Sequence, residues 1–170
     1  MGLFSGDGAG SVARLFKKYE TKIIGGLHLR MPDSVADKTT LIKPFEKNKQ
    51  IITKTEEKIK LTSELIKQGK YPHEGLSFLR HLCGLFGQRL WFKNYNKRCK
   101  NKLKINKDCL QCGLCVNNCP MHNLELKDGK IESLGNCTLC YRCVNNCPKE
   151  AITILGSKVI EQIKIEKFIK

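Results

Sequence analysis

Two cysteine runs of identical spacing constrain this chain more than any other feature. Cys109, Cys112, Cys115 and Cys119 precede Pro120, and Cys137, Cys140, Cys143 and Cys147 precede Pro148, so each run reads C-x-x-C-x-x-C-x-x-x-C-P. A shift of 28 residues lays the second run on the first and carries its neighbours along. Val116-Asn-Asn118 returns as Val144-Asn-Asn146, Leu124 falls on Ile152, and Leu126 falls on Ile154. The repetition predicts an internal duplication with a pseudo-twofold relation between its halves.

Ten cysteines in 170 residues would suit a disulfide framework in a secreted protein. The sequence lacks the positively charged start, apolar run and cleavage site that such a protein carries, so the thiols are expected as metal ligands in a reducing, cytoplasmic compartment. Zinc is one alternative, since it takes four thiolates in a tetrahedron. Its sites commonly use two C-x-x-C pairs separated by a longer spacer, whereas a run of four closed by proline, present twice, belongs to cubane iron–sulfur clusters. A cluster that is structural and transfers nothing is the other alternative. Against it, all eight ligands are present, and a pair of clusters makes most sense as a relay. The expectation is an electron carrier rather than a catalyst with a substrate of its own, working with redox partner proteins.

The net charge is +15, unevenly spread. Residues 1–100 hold 20 basic and 9 acidic groups, residues 101–170 hold 11 and 7. Such an excess can meet nucleic acid, an anionic surface or an acidic partner. No basic reading motif accompanies it, so nucleic acid is not the expected partner. No stretch approaches the roughly 18 apolar residues of a membrane span.

Along the chain, the glycine-rich start leads into a helix expected from about Ser11 to Tyr19, with Val12, Leu15 and Phe16 on its apolar face. Residues 22–31 read as a buried strand closed by Pro32-Asp33. From about Pro44 to Gln68 the spacing is helical. Phe45, Ile52, Ile59 and Ile66 recur every seven residues with Thr55 and Thr62 between them, and Gly69 stands where a helix would stop. Residues 71–100 mix Tyr71, Phe78, Phe86, Trp91, Phe92 and Tyr95 with basic side chains and are expected as a connector between modules. Cys83 and Cys99 fall there, outside both runs, and none of the four histidines is expected as a ligand. Leu103-Lys-Ile105 predicts a short strand, Leu124 to Ile131 a hairpin turning at Asp128-Gly129, and Ile152-Thr-Ile154 another strand. Val159, Ile160, Ile163 and Phe168 predict a helical tail over 158–170.

The cysteine module, residues 101–157, resembles bacterial-type ferredoxins that carry two 4Fe-4S clusters. Cysteines at i, i+3 and i+6 on one tight loop can hold three irons of a cube, but the loop cannot wrap to the fourth. In the ferredoxin pattern the last cysteine of each run serves the other cluster. The resemblance therefore implies one cluster on Cys109, Cys112, Cys115 and Cys147, and a second on Cys137, Cys140, Cys143 and Cys119.

The whole chain resembles the later part of the flavodoxin–ferredoxin fusion proteins of anaerobic bacteria. The stretches that suggest it are Gly2-Leu-Phe-Ser-Gly-Asp-Gly8, Gly25-Gly-Leu-His-Leu29 before Met31-Pro32, and Gly84-Leu-Phe-Gly-Gln-Arg-Leu-Trp-Phe92. The resemblance implies a flavin-contacting loop at Ser5, Gly6, Asp7 and Gly8, with FMN as cofactor, and a partial flavodoxin-like α/β segment over residues 1–70. A flavodoxin grips the FMN phosphate with a hydroxyl-rich loop after its first strand, and this sequence holds no such strand or loop. It is expected to begin inside the flavodoxin or to have its sheet completed by a partner. The expected class is α+β: a two-cluster ferredoxin-like module preceded by that partial α/β segment.

Overall fold

The computed structural model describes residues 7–168. The chain divides into two compact units, one taking residues up to Pro32 together with Phe45–Lys93, the other taking Asp33–Pro44 together with everything from Asn94 onward. Helices and two small antiparallel sheets make the protein α+β, as expected. Among the described residues no helix is long and apolar enough to cross a membrane.

In the first unit, α1 spans Gly8–Phe16 and continues into a 3-10 turn over Lys17–Tyr19, beginning three residues before the expected start at Ser11. The earlier start follows from Asp7, whose carbonyl accepts from the Ser11 amide at 2.8 Å. Helix α2, Phe45–Lys67, matches the expected span. Gly69 ends it with φ +75, while the Gly69 amide bonds Ile66 O at 2.9 Å and the Lys70 amide bonds Leu65 O at 2.9 Å. This pair of backward bonds is the usual glycine stop of a helix. The buried face of α2 is Asn48, Ile52, Thr55 and Thr62, with Phe45, Ile59 and Ile66 exposed, so the apolar stripe expected from the heptads is only partly buried.

The strand expected over residues 22–31 does not form. Only Gly26 pairs, in one parallel bridge to His73. The Gly26 amide reaches Pro72 O at 2.7 Å and Gly26 O accepts from the Glu74 amide at 2.9 Å. Pro72 has no N–H with which to extend the ladder, and the chains approach so closely that a Cβ on Gly26 would stand 2.6 Å from Glu74 O. Side chains fix the segment instead. Lys58 Nζ donates to His28 O at 2.9 Å and to Glu74 Oε2 at 2.7 Å, Glu74 Oε2 accepts from the His28 amide at 3.0 Å, and the Thr55 hydroxyl donates to Arg30 O. The described part of residues 1–70 thus holds helices and a single bridge.

The expected connector is itself helical. It comprises α3 at Phe78–Cys83, whose first turn is capped by Ser77, a π-helical stretch at Gly84–Arg89, and α4 at Leu90–Cys99.

In the second unit, β1 (Lys104–Ile105) pairs with β4 (Ile152–Thr153), Lys104 opposite Thr153, so the strand before the first cysteine run meets the strand after the second. The hairpin forms as expected, β2 at Leu124–Lys127 and β3 at Lys130–Ser133, with Asp128 and Gly129 both at positive φ, as a two-residue turn of that type demands. Single-turn helices α5 (Leu114–Asn117) and α6 (Arg142–Asn146) sit within the cysteine runs. The core joins Ala36, Leu124, Tyr141, Val144, Ile152 and Ile154 to the thiols of Cys115, Cys137 and Cys143. Ala36 comes from the separate segment Asp33–Pro44, so the unit is wider than residues 101–157.

The helical tail is also corrected. Residues 157–164 run without a helix, and only Ile165–Lys167 makes a 3-10 turn. Hydrogen bonds hold the tail extended. The Ile160 amide reaches Ala36 O at 2.8 Å, the Ile163 amide reaches Asn145 Oδ1 at 2.8 Å, and Gln162 Nε2 donates to Val144 O at 2.9 Å and Cys147 O at 2.7 Å.

Candidate metal centre

The backbone of the first cysteine run recurs in the second. Gln111 and Gly113 at φ +56 and +71 correspond to Leu139 and Tyr141 at +57 and +60, and His122 at +47 corresponds to Glu150 at +50. Left-handed backbone is unfavourable for Leu and Tyr, and residues held this way cluster where a site over-determines them. Hydrogen bonds repeat as well. The Asn123 amide donates to Cys119 Sγ at 3.2 Å and the Ala151 amide to Cys147 Sγ at 3.3 Å, while the amides of Cys119 and Cys147 reach Val116 O and Val144 O at 3.3 and 3.4 Å.

Two cavities of near-equal size, about 330 and 340 Å³ of space partly open to solvent, lie within this unit. The first is walled by Cys137, Cys140 and Cys143 together with Cys119, and the second by Cys109, Cys112 and Cys115 together with Cys147. The fourth cysteine of each run thus lines the cavity of the other. Leu103, Leu124 and Ile154 complete the first wall, Leu110, Ile131 and Ile152 the second, leaving thiols as the dominant donors. Cys115, Cys137 and Cys143 are buried, Cys109, Cys119 and Cys147 half-buried, and Cys112 and Cys140 exposed. The second cysteine of each run therefore forms the solvent edge of its cavity. Among the described residues no three His, Cys, Asp or Glu side chains form a single-ion site.

The three buried thiols, Cys115, Cys137 and Cys143, resist ionisation without a metal. Burial pushes Cys143 up to about 12, with the neighbouring Cys137 and Cys140 adding to the effect. Burial likewise raises Cys115, which feels Cys109 and Cys147, and Cys137, which feels Cys140 and Cys119. Packing several thiolates in an apolar wall is unfavourable unless metal cations offset their charge. This donor set, soft sulfur with amides aimed at Sγ, fits an iron–sulfur group.

Cys83 is exposed on α3 and Cys99 buried on α4, and neither lines either of these two cavities. Of the candidate flavin loop, Ser5 and Gly6 lie outside the described residues. Gly8 opens α1 and is exposed. Asp7 is buried, its Oδ2 engaged by Ser11 Oγ at 3.2 Å, His81 Nδ1 at 3.0 Å, Arg89 Nη2 at 2.9 Å, and Arg14. Burial acts to raise that carboxyl, but the bonds from His81 and Arg14 outweigh it and hold it below the ordinary carboxylate range.

Sequence reasoning missed Asp37 and Tyr141. The Tyr141 hydroxyl donates to Asp37 Oδ1 at 2.8 Å, and Tyr141 lines the Cys137 cavity. Burial and the Asp37 carboxylate push the Tyr141 phenol far above its ordinary value, so it stays a neutral donor. One signal was available: the 28-residue register sets Tyr141 opposite Gly113, a large side chain where its counterpart has none. Asn123 was missed too. It is 1% exposed, with Nδ2 donating to Ser133 Oγ at 3.1 Å and Oδ1 accepting from the Asn136 amide, which fixes the approach to Cys137.

No curated protein matches the chain. Residues 108–152, the stretch that carries all eight cavity cysteines, match the family model of the 4Fe-4S dicluster domain, which supports a ferredoxin-type iron–sulfur module in this part of the chain.

Proposed function

We propose that the chain carries single electrons through two 4Fe-4S clusters, one on Cys109, Cys112, Cys115 and Cys147 and the other on Cys137, Cys140, Cys143 and Cys119. The observation that carries this reading is the membership of the cavities, three cysteines from one run and the last from the other. When bound, each cluster would supply a one-electron acceptor. The thiolates of one set attach at four corners of a cube, so they ring a cavity rather than meet at a point. Crossing by Cys119 and Cys147 ties the halves together in a pseudo-twofold arrangement and keeps the two sites close. Amides on Cys119 and Cys147 Sγ draw charge off the sulfur, one of the levers on potential. The exposed edges at Cys112 and Cys140 give redox partner proteins a short path to either site.

Iron and sulfide analysis of anaerobically purified protein tests the proposal. About eight irons per chain are expected for two such clusters; about four or fewer, or stoichiometric zinc, would sink it.

The stretches resembling flavodoxin–ferredoxin fusions support a second reading, in which FMN exchanges electrons with the clusters and the chain is a component of a flavin-dependent oxidoreductase. That reading needs the remainder of a flavodoxin sheet from a further segment or a partner chain. Tightly bound FMN in the purified protein would favour it over the plain carrier.

A further inference from the structure

We propose that buried Asp37 makes the two cysteine sets electronically unequal: the set of Cys137, Cys140, Cys143 and Cys119 is the harder to reduce, and the first electron settles at the set of Cys109, Cys112, Cys115 and Cys147. The inference rests on the two-cluster reading and adds an order to it.

Asp37 is 3% exposed. Its Oδ1 accepts from the Tyr141 hydroxyl at 2.8 Å, and its Oδ2 accepts from the amides of Ile154 at 2.6 Å and Leu155 at 3.0 Å. Tyr141 and Ile154 both line the Cys137 cavity, so the carboxylate stands one residue behind that wall on two separate supports. Burial acts to raise its pKa, but the amides of Ile154 and Gly156, the Tyr141 hydroxyl and the Leu155 amide together hold it below the ordinary range, so it is ionised at neutral pH. These partners are neutral donors, which stabilise the negative charge without cancelling it.

The other cavity has no equivalent. The counterparts of Tyr141 and Ile154 are Gly113, without a side chain, and Leu126, which is 50% exposed. Among the described residues Asp37 is the one buried carboxylate of this unit. Cations do not restore the balance. Arg142 lines the Cys137 cavity and Lys149 the Cys109 cavity, both exposed, so each is screened by water and salt and the two offset one another. A buried charge is screened far less. At about 10 Å and an effective dielectric of about 20 it disfavours an added electron by roughly tenfold, about 59 mV for a one-electron couple. Each reduction takes one electron from an external one-electron reductant, dithionite in the test below, and asks no proton of Asp37.

The test is a reductive titration of the anaerobically isolated full-length holoprotein, followed by electron paramagnetic resonance, with iron counted on the same sample. Two resolved steps are expected, and Cys143→Ser should alter the spectrum of the harder one. Asp37→Asn should ease the harder step by roughly tenfold and move the other, more distant step by less, while Asp37→Glu keeps the gap. A single step with eight irons present, an Asp37→Asn shift equal at both steps, or a Cys143→Ser signature on the easier step overturns the inference and leaves the two-cluster reading intact. Fewer irons overturn both. Should Asp37→Asn fail to retain iron, the order of the wild-type steps marked by Cys143→Ser decides the matter.

Discussion

The two cysteine runs share a spacing, a backbone path and a cavity size, yet they sit in different surroundings. The first run turns at Gly113 and is followed by a hairpin in which Leu124 is buried and Leu126 exposed; the second turns at Tyr141 and is followed by the wholly buried stretch Ala151–Ile154. The shared spacing and backbone path therefore set the local geometry of the cysteines, and the residues that differ between the runs decide how the two cavities differ. The crossing cysteines give the most direct way to break the comparison. Cys147→Ala should cost the site nucleated by Cys109 rather than the one beside it in sequence, with iron falling by about half, and Cys119→Ala should cost the other. Spectroscopy of each variant reports which signal survives. Damage confined to the Cys137 site in Cys147→Ala would show that the ligand sets are not crossed.

Iron removal should come next in size. Because Cys115, Cys137 and Cys143 belong to the core itself, stripping the proposed clusters would leave buried thiols crowded in an apolar wall, so metal binding is expected to be coupled to folding. Hydrogen exchange after chelation is expected to show lost protection at α5, α6 and β4, in both halves of the repeat. Protection retained at these elements would mean the unit folds without its metal.

Tyr141→Phe sharpens the comparison at the point where the runs diverge. It leaves Asp37 Oδ1 buried without the hydroxyl that now satisfies it, and leaving a buried acceptor without its donor costs on the order of 1–3 kcal/mol. Denaturant unfolding of the anaerobic holoprotein measures it. A loss below about 0.5 kcal/mol would mean that Oδ1 finds another donor.

Much of this could be read before the fold was known, where a local rule settles the outcome. The two matched cysteine runs are plain in their spacing, the hairpin follows from Asp128-Gly129, and α2 from its periodicity and the glycine stop at Gly69. Distance in the chain hides the rest. Asp37 lies 104 residues from Tyr141, and nothing in the segment Asp33–Pro44 announces that it completes the iron–sulfur unit. The strand expected at residues 22–31 has apolar residues enough, but extending the bridge to His73 needs a donor from the residue before it, and Pro72 has none. The tail's apolar positions suit a helix or an extended segment equally, and the carbonyls of Ala36, Val144 and Cys147 select the extended form. Distance likewise hides the partners of Asp7, whose carboxylate is bonded by Ser11, Arg14, His81 and Arg89.

The smallest expected effect tests why the same left-handed turn carries glycine in one run and tyrosine in the other. A Cβ at Gly113 meets nothing within 4 Å, so Gly113→Ala adds no clash and its cost is backbone strain alone, about 1 kcal/mol. Tyr141 bears comparable strain at φ +60, and its bond to Asp37 together with its burial at 1% exposure offsets it. Gly113→Ala should thus lower stability modestly while both sites keep their iron and their separate reduction steps. If it instead abolished the Cys109 site, the glycine would be required for space that only the loaded cavity demands, and the two turns would differ in role as well as in side chain.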